Sequence, residues 1–145
     1  MSAERLFTPR FFLMCGFTFT VFLSAFQLLP VAPYRILALG GSAASAGLFL
    51  GFLTYSSAIT APLTGSLADR IGPRRILLVA SLAIAGFSAI YAVLDNYHVM
   101  LGLVIVHGFF WSGLLSSSAT YVTALVPPGR RAEGMGYWGM STVLA

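Results

Sequence analysis

A chain of 145 residues that is 58% hydrophobic and only 8% charged cannot cover a water-facing surface, because soluble domains carry about a quarter charged residues. The net charge of +4 comes from eight arginines against four acids, with no lysine, and the arginines sit between apolar segments rather than in a stripe. That distribution argues against a nucleic-acid partner and makes the lipid bilayer the expected surroundings.

A hydrocarbon core about 30 Å thick is crossed by about 20 apolar residues in a helix. Four uncharged stretches qualify: Phe11 to Leu29, Ala44 to Leu67, Ile76 to Leu94 and Val99 to Val126. The first follows Arg5 and Arg10, is longer than a signal-peptide core, and is read as a retained first span. Pro30, Pro33, Gly40 and Gly41 predict the first loop, since proline removes a helix donor. Gly72-Pro73 predicts a reversal after helix two, Asp95-Asn96-Tyr97-His98 a polar turn after helix three, and Pro127-Pro128-Gly129 the end of helix four. A fifth helix is expected from about Gly134, and Ala145 comes about three turns later, too few to span. The chain is therefore read as an incomplete N-terminal transmembrane unit. Cys15 is the only cysteine, so no internal disulfide forms, and it reads as a small buried hydrophobe.

Orientation follows from the arginines. Arg5, Arg10, Arg70, Arg74, Arg75, Arg130 and Arg131 fall on one side if all four stretches span, and Arg35 alone falls on the other. The positive-inside bias predicts a multi-pass protein of the cell membrane with its N-terminus in the cytoplasm.

The densest charge lies in Gly65-Ser66-Leu67-Ala68-Asp69-Arg70-Ile71-Gly72-Pro73-Arg74-Arg75. Charge is costly in hydrocarbon, so this hinge belongs at a membrane surface. Gly65 is expected to admit a neighbouring helix, Asp69 to meet water or an opposing charge, Gly72 to allow the reversal, and Arg74 and Arg75 to meet anionic head groups. A solvated basic turn would explain the arginines but not an aspartate set between two glycines at this spacing.

The hinge resembles the loop between helices two and three of the major facilitator superfamily, Gly-x-Leu-Ala-Asp-Arg-x-Gly-Arg-Arg/Lys. Gly65, Leu67, Ala68, Asp69, Arg70, Gly72 and Arg74 match, and Pro73 replaces the first basic residue after the second glycine. The resemblance implies an all-α integral membrane fold, a partial six-helix half-bundle of a major facilitator fold. It implies secondary transport of a small-molecule substrate by alternating access, loosely of efflux type, with the C-terminal half of the same transporter as the missing partner. It also implies that Asp69, with Arg70 and Arg74, forms a cytoplasmic gate against that other half. A proton is a candidate coupling partner, but the helix-four arginine of many proton-coupled relatives is Val104 here, and their glutamine position is His107. The alternative is a non-transporting membrane segment that packs with a full-length transporter.

Residues for a substrate cavity come next. His107 is an ionisable residue within a span, and Trp111 follows at i+4 on its face. Thr20, Ser24 and Gln27 share one face of helix one; Gln27 is kept as a cavity candidate and the other two are read as packing. Ser112, Ser116, Thr120 and Thr123 fall roughly opposite His107 on helix four and are read as packing, as is the Gly47/Gly51 pair of helix two. Arg130, Arg131 and Glu133 read as anchors. No metal-spaced cluster and no phosphate-binding glycine loop is present. No cofactor, metal or catalytic residue is assigned, and an enzyme is not expected.

Overall fold

The apolar stretches fold as long helices joined by very short connections. The computed structural model describes residues 5–145: α1 (Pro9–Ala38), α2 (Ala43–Ile71), α3 (Pro73–Val93), α4 (Tyr97–Leu125), a 3-10 turn (Pro128–Arg130) and α5 (Arg131–Val143). Helices α1 to α4 are each long and apolar enough to cross a membrane. Their links, residues 39–42, Gly72 and 94–96, are too short to do anything but reverse the chain, so neighbours run antiparallel.

Helix α1 departs from expectation. It runs through Pro30 and Pro33 instead of stopping before them. Each proline leaves one carbonyl, that of Phe26 or Leu29, without its helix donor. Membrane helices tolerate this when packing holds the turn, and Ala32 and Ile36 are buried against Phe49 and Leu53 of α2. The helix ends at Gly40, at φ +86°. There Gly41 N–H donates to Ile36 O at 2.9 Å and Gly40 N–H to Leu37 O at 3.0 Å, the paired bonds of a Schellman cap.

Gly72 is the whole connection between α2 and α3. Its φ of +99° and ψ of 136° lie where an L side chain is strained. Its N–H closes α2 on Ala68 O at 2.9 Å, and its carbonyl accepts from Arg75 N at 3.2 Å to open α3. Pro73 then stands at the first position of α3, where its fixed φ suits a helix start and its missing N–H costs nothing. That accounts for a proline where the resembling motif has a basic residue. Gly72→Ala should cost about 1–3 kcal/mol, read as a lower thermal midpoint in detergent; an unchanged midpoint would show that the elbow relaxes.

Two further boundaries moved. Asn96 caps α4 by accepting from His98 N at 2.9 Å, so the helix begins inside the expected polar turn. Helix α5 begins at Arg131 rather than near Gly134. Arg130 donates to Glu133 through Nε at 2.7 Å and Nη2 at 2.6 Å, and its guanidinium lies 5.9 Å from the Phe7 ring centre. The hydrogen bonds and charge of Arg130 hold the Glu133 carboxyl below its usual range.

Two apolar clusters stack along the bundle. Phe11, Met14, Leu77, Ala80, Leu114 and Val122 belong to the cluster nearer Gly72. Phe49, Leu53, Phe87, Tyr91, Met100 and Val104 belong to the one nearer Arg35. At that far end Arg35 Nη2 reaches Asp95 Oδ1 and Leu94 O, both at 3.2 Å, tying the end of α1 to the α3–α4 turn. Asp95 is 90% exposed, so the ion pair is worth at most about 1 kcal/mol.

Candidate functional site: a mid-bundle cavity and a charged elbow

Helix α4 is the central helix, and its most extensive partner is α2. The contact is close because Gly108 is small: a Cβ there would stand 2.7 Å from Leu53 O and 2.8 Å from Ser56 Cβ. Beside it the Ser56 hydroxyl donates to Ile105 O, and Thr64 and Ser112 join the two helices by a hydroxyl pair at 2.9 Å. The Gly47/Gly51 pair does not make the expected contact, since a Cβ at either position would meet nothing within 4 Å. The same is true of Gly65, so the close approach expected there is not made by this chain's own helices.

A cavity of about 500 Å³ opens at the middle of the bundle, walled by α1, α2, α3 and α4. Its wall is mostly apolar, with hydroxyls, His107 and Trp111 set into it. A solute-sized pocket with few convergent polar groups is the usual form of a small-molecule site. His107 is buried, stacked on Phe87 at 5.2 Å between ring centres and 9° between planes. Trp111 is half-buried and packs against Phe22 at 5.5 Å. Both sequence candidates on α4 therefore lie on the cavity wall.

Three placements differ from the sequence reading. Gln27 is exposed and does not line the cavity; Ser24, one turn earlier on α1, does. Ser24, Ala25, Phe26, Leu28 and Leu29 line the cavity from an arc of about 200° that begins at Ser24, and Gln27 lies about 60° outside that edge. Ser112 and Ser116 do line it, although they lie across α4 from His107. From His107 through Trp111 and Leu115 to Ser116, the lining residues sweep about 180° of the helix. His107 and Ser116 are thus the two edges of one arc. Of the hydroxyl set on α4, Ser112 packs on α2 through Thr64 and Thr123 reaches Met135 Sδ of α5 at 3.7 Å, whereas Ser116 and Thr120 turn their hydroxyls back on carbonyls of α4 itself, Ser112 O at 2.8 Å and Ser116 O at 3.0 Å.

The third difference is a wall that was overlooked. Thr54, Ser57, Ala58 and Ala61 of α2 line the cavity. Their spacing, i, i+3, i+4 and i+7, is one helical face, and a stripe of small and hydroxyl residues there was the signal for it. On α1, Phe26 and Leu29 line the cavity as well, so the two carbonyls that Pro30 and Pro33 leave without a helix donor belong to wall residues.

The charged elbow is open. Asp69, Arg70 and Arg74 are exposed. The ion pairs among the described residues are Arg35–Asp95 and Arg130–Glu133, so the elbow's charges are not spent on one another.

A bundle of membrane-length antiparallel helices, with a solute-sized cavity midway along it and a charged elbow at one end, has the form of part of a polytopic membrane protein. The chain belongs to the Major Facilitator Superfamily, whose family model matches residues 12–145. It is 28% identical over 127 residues to the quinolone resistance protein NorA of Staphylococcus aureus strain MRSA252, covering 87% of this chain and 32% of that protein. The NorA of strain Mu50 gives the same figures. The fatty acid resistance protein FarB of Neisseria gonorrhoeae is 28% identical over 92 residues, which is 63% of this chain and 18% of FarB. The chain thus spans about a third of the length of NorA.

Proposed function

We propose that the protein to which this chain belongs moves small, largely apolar solutes across the cell membrane, in the direction of efflux, by alternating access to the mid-bundle cavity. The observation that carries this reading is the cavity of about 500 Å³ with its apolar wall and its few polar groups, Ser24, Thr54, Ser57, His107 and Ser116 among them. Membership of the superfamily supports it, and so do the resistance names of NorA and FarB. In this reading Trp111 is an aromatic platform for the solute and His107 a polar contact. Rocking of two helical bundles about a central site is how such folds give alternating access.

The arginine asymmetry supports a cytoplasmic Gly72 end and N-terminus, by the positive-inside bias. Asp69, Arg70 and Arg74 then form one side of a cytoplasmic gate whose other side is a second bundle. Gly65, with open space over its Cα, is where that bundle can approach α2. The coupling ion is a proton in this reading, carried by groups other than a helix-four arginine, since Val104 holds that position.

Proteoliposomes holding the full-length protein test the function. A fluorescent quinolone should move saturably in the direction opposite to proton flow when a proton gradient is imposed, and Trp111→Ala should reduce that flux by about tenfold or more, because aromatic platforms dominate pocket energetics. Flux equal to that of empty liposomes would refute the transport reading. Equal flux in wild type and Trp111→Ala would remove the cavity from it.

A further inference from the structure

The His107 ring is buried and held by two aromatic neighbours. Phe87 stacks on its face at 5.2 Å, and Tyr91 lies 5.9 Å away with its hydroxyl 3.4 Å from Nδ1. Tyr91 is itself fixed: it is 3% exposed and set edge-on against Phe49 at 5.5 Å. The other ring nitrogen, Nε2, has no hydrogen-bond partner among the described residues, yet it is not one of the sealed polar atoms of the bundle. His107 lines the main cavity, so Nε2 is the nitrogen left for whatever enters. Tyr91 stands behind it, on the wall of a second cavity of about 280 Å³ that shares Leu28 and Ser88 with the first.

The two nitrogens of a neutral imidazole have opposite roles, and the bond made by one sets the role of the other. A phenol has one proton to give. We infer that Tyr91 is a positioning residue that donates to His107 Nδ1, and that this leaves Nε2–H as a donor selecting solutes with a hydrogen-bond acceptor on a planar apolar frame. The inference deepens the proposed function and rests on its cavity. The surrounding wall is mostly apolar, so a solute offering a second donor to Nε2–H would bury two donors face to face, which is costly. A solute offering a carbonyl or ring-nitrogen acceptor would satisfy it.

Three ring-matched probes separate these outcomes: 9-fluorenone carries an acceptor, carbazole a donor and fluorene neither. Their binding to the full-length protein in nanodiscs is measured by equilibrium dialysis against empty nanodiscs. Fluorenone should bind about tenfold more tightly than carbazole, the size of one neutral hydrogen bond. Tyr91→Phe should bring that ratio to about twofold or less while fluorene binds as before, which certifies that the variant is folded. Nitrogen NMR of ring-labelled histidine should show Nε2 protonated in wild type and a mixture of tautomers in Tyr91→Phe. A wild-type preference for carbazole, or a ratio and tautomer unmoved by Tyr91→Phe, would overturn the inference. Saturable fluorene binding that Trp111→Ala abolishes, without any acceptor preference, would overturn it and leave the cavity standing. Absence of saturable binding by all three probes would overturn both.

Discussion

Replacing Gly108 with valine should strongly destabilise the folded chain. The first added carbon would stand 2.7 Å from Leu53 O and 2.8 Å from Ser56 Cβ. A backbone carbonyl cannot rotate out of the way, so α2 and α4 would have to part along the most extensive contact in the bundle. Overpacking costs about 1–3 kcal/mol when side chains can yield, and this site should reach the top of that range or pass it. Gly108→Ala makes the comparison sharp. Alanine is the better helix former by about 1 kcal/mol, yet here it should lower the melting temperature in detergent. Gly47→Ala and Gly51→Ala meet open space and should leave the melting temperature of this chain the same or slightly higher. If Gly108→Ala proved harmless and Gly47→Ala damaging, the assignment of the α2–α4 contact would be wrong.

The second large effect belongs to function. Asp69→Asn, made in the full-length protein, should cut solute flux by at least about tenfold, a barrier change of about 1.4 kcal/mol, with the amount of protein in the membrane unchanged. Asp69 is exposed and stands in the last turn of α2, the end of a helix that disfavours negative charge. Within the described residues it has neither an ion pair nor a hydrogen bond from a side chain to offset that position. A carboxylate so placed contributes little to its own bundle, so its loss should leave stability alone and act on the gate. Equal flux in the variant would take Asp69 out of the gate; a fall in flux matched by a fall in membrane-inserted protein would make its role structural.

The spans were legible because hydrocarbon admits so few solutions. Twenty uncharged residues in a row leave little choice but a helix, and Asp69 and Asp95 stand just inside or beyond the ends where charge can meet water. The elbow was legible because glycine at a positive φ and proline at a first helical position are local requirements, visible at Gly72-Pro73 without knowledge of the rest. What local rules missed was set by packing. Pro30 and Pro33 should end α1, but Ala32 and Ile36 are buried against α2 and carry the helix nine residues past Leu29, to Ala38. The Gly47/Gly51 spacing read as a contact face, yet the close approach falls at Gly108, which no spacing on α2 could reveal. His107 and Trp111 were found because a histidine and a tryptophan stand out in a span. The α2 wall of Thr54, Ser57, Ala58 and Ala61 was not, because small residues at helical spacing look the same whether they line a cavity or pack a helix.

The central claim is that α1 to α4 cross a bilayer in alternation, with the Gly72 elbow on the cytoplasmic side. Single cysteines at Arg75 and at His98, in a Cys15→Ala background, test it most directly in intact cells exposed to a membrane-impermeant maleimide. The claim predicts that the cysteine at 98 is labelled from outside, and that the cysteine at 75 is labelled only after the cells are opened. Labelling of 75 in intact cells, or of both positions from the same side, would contradict it.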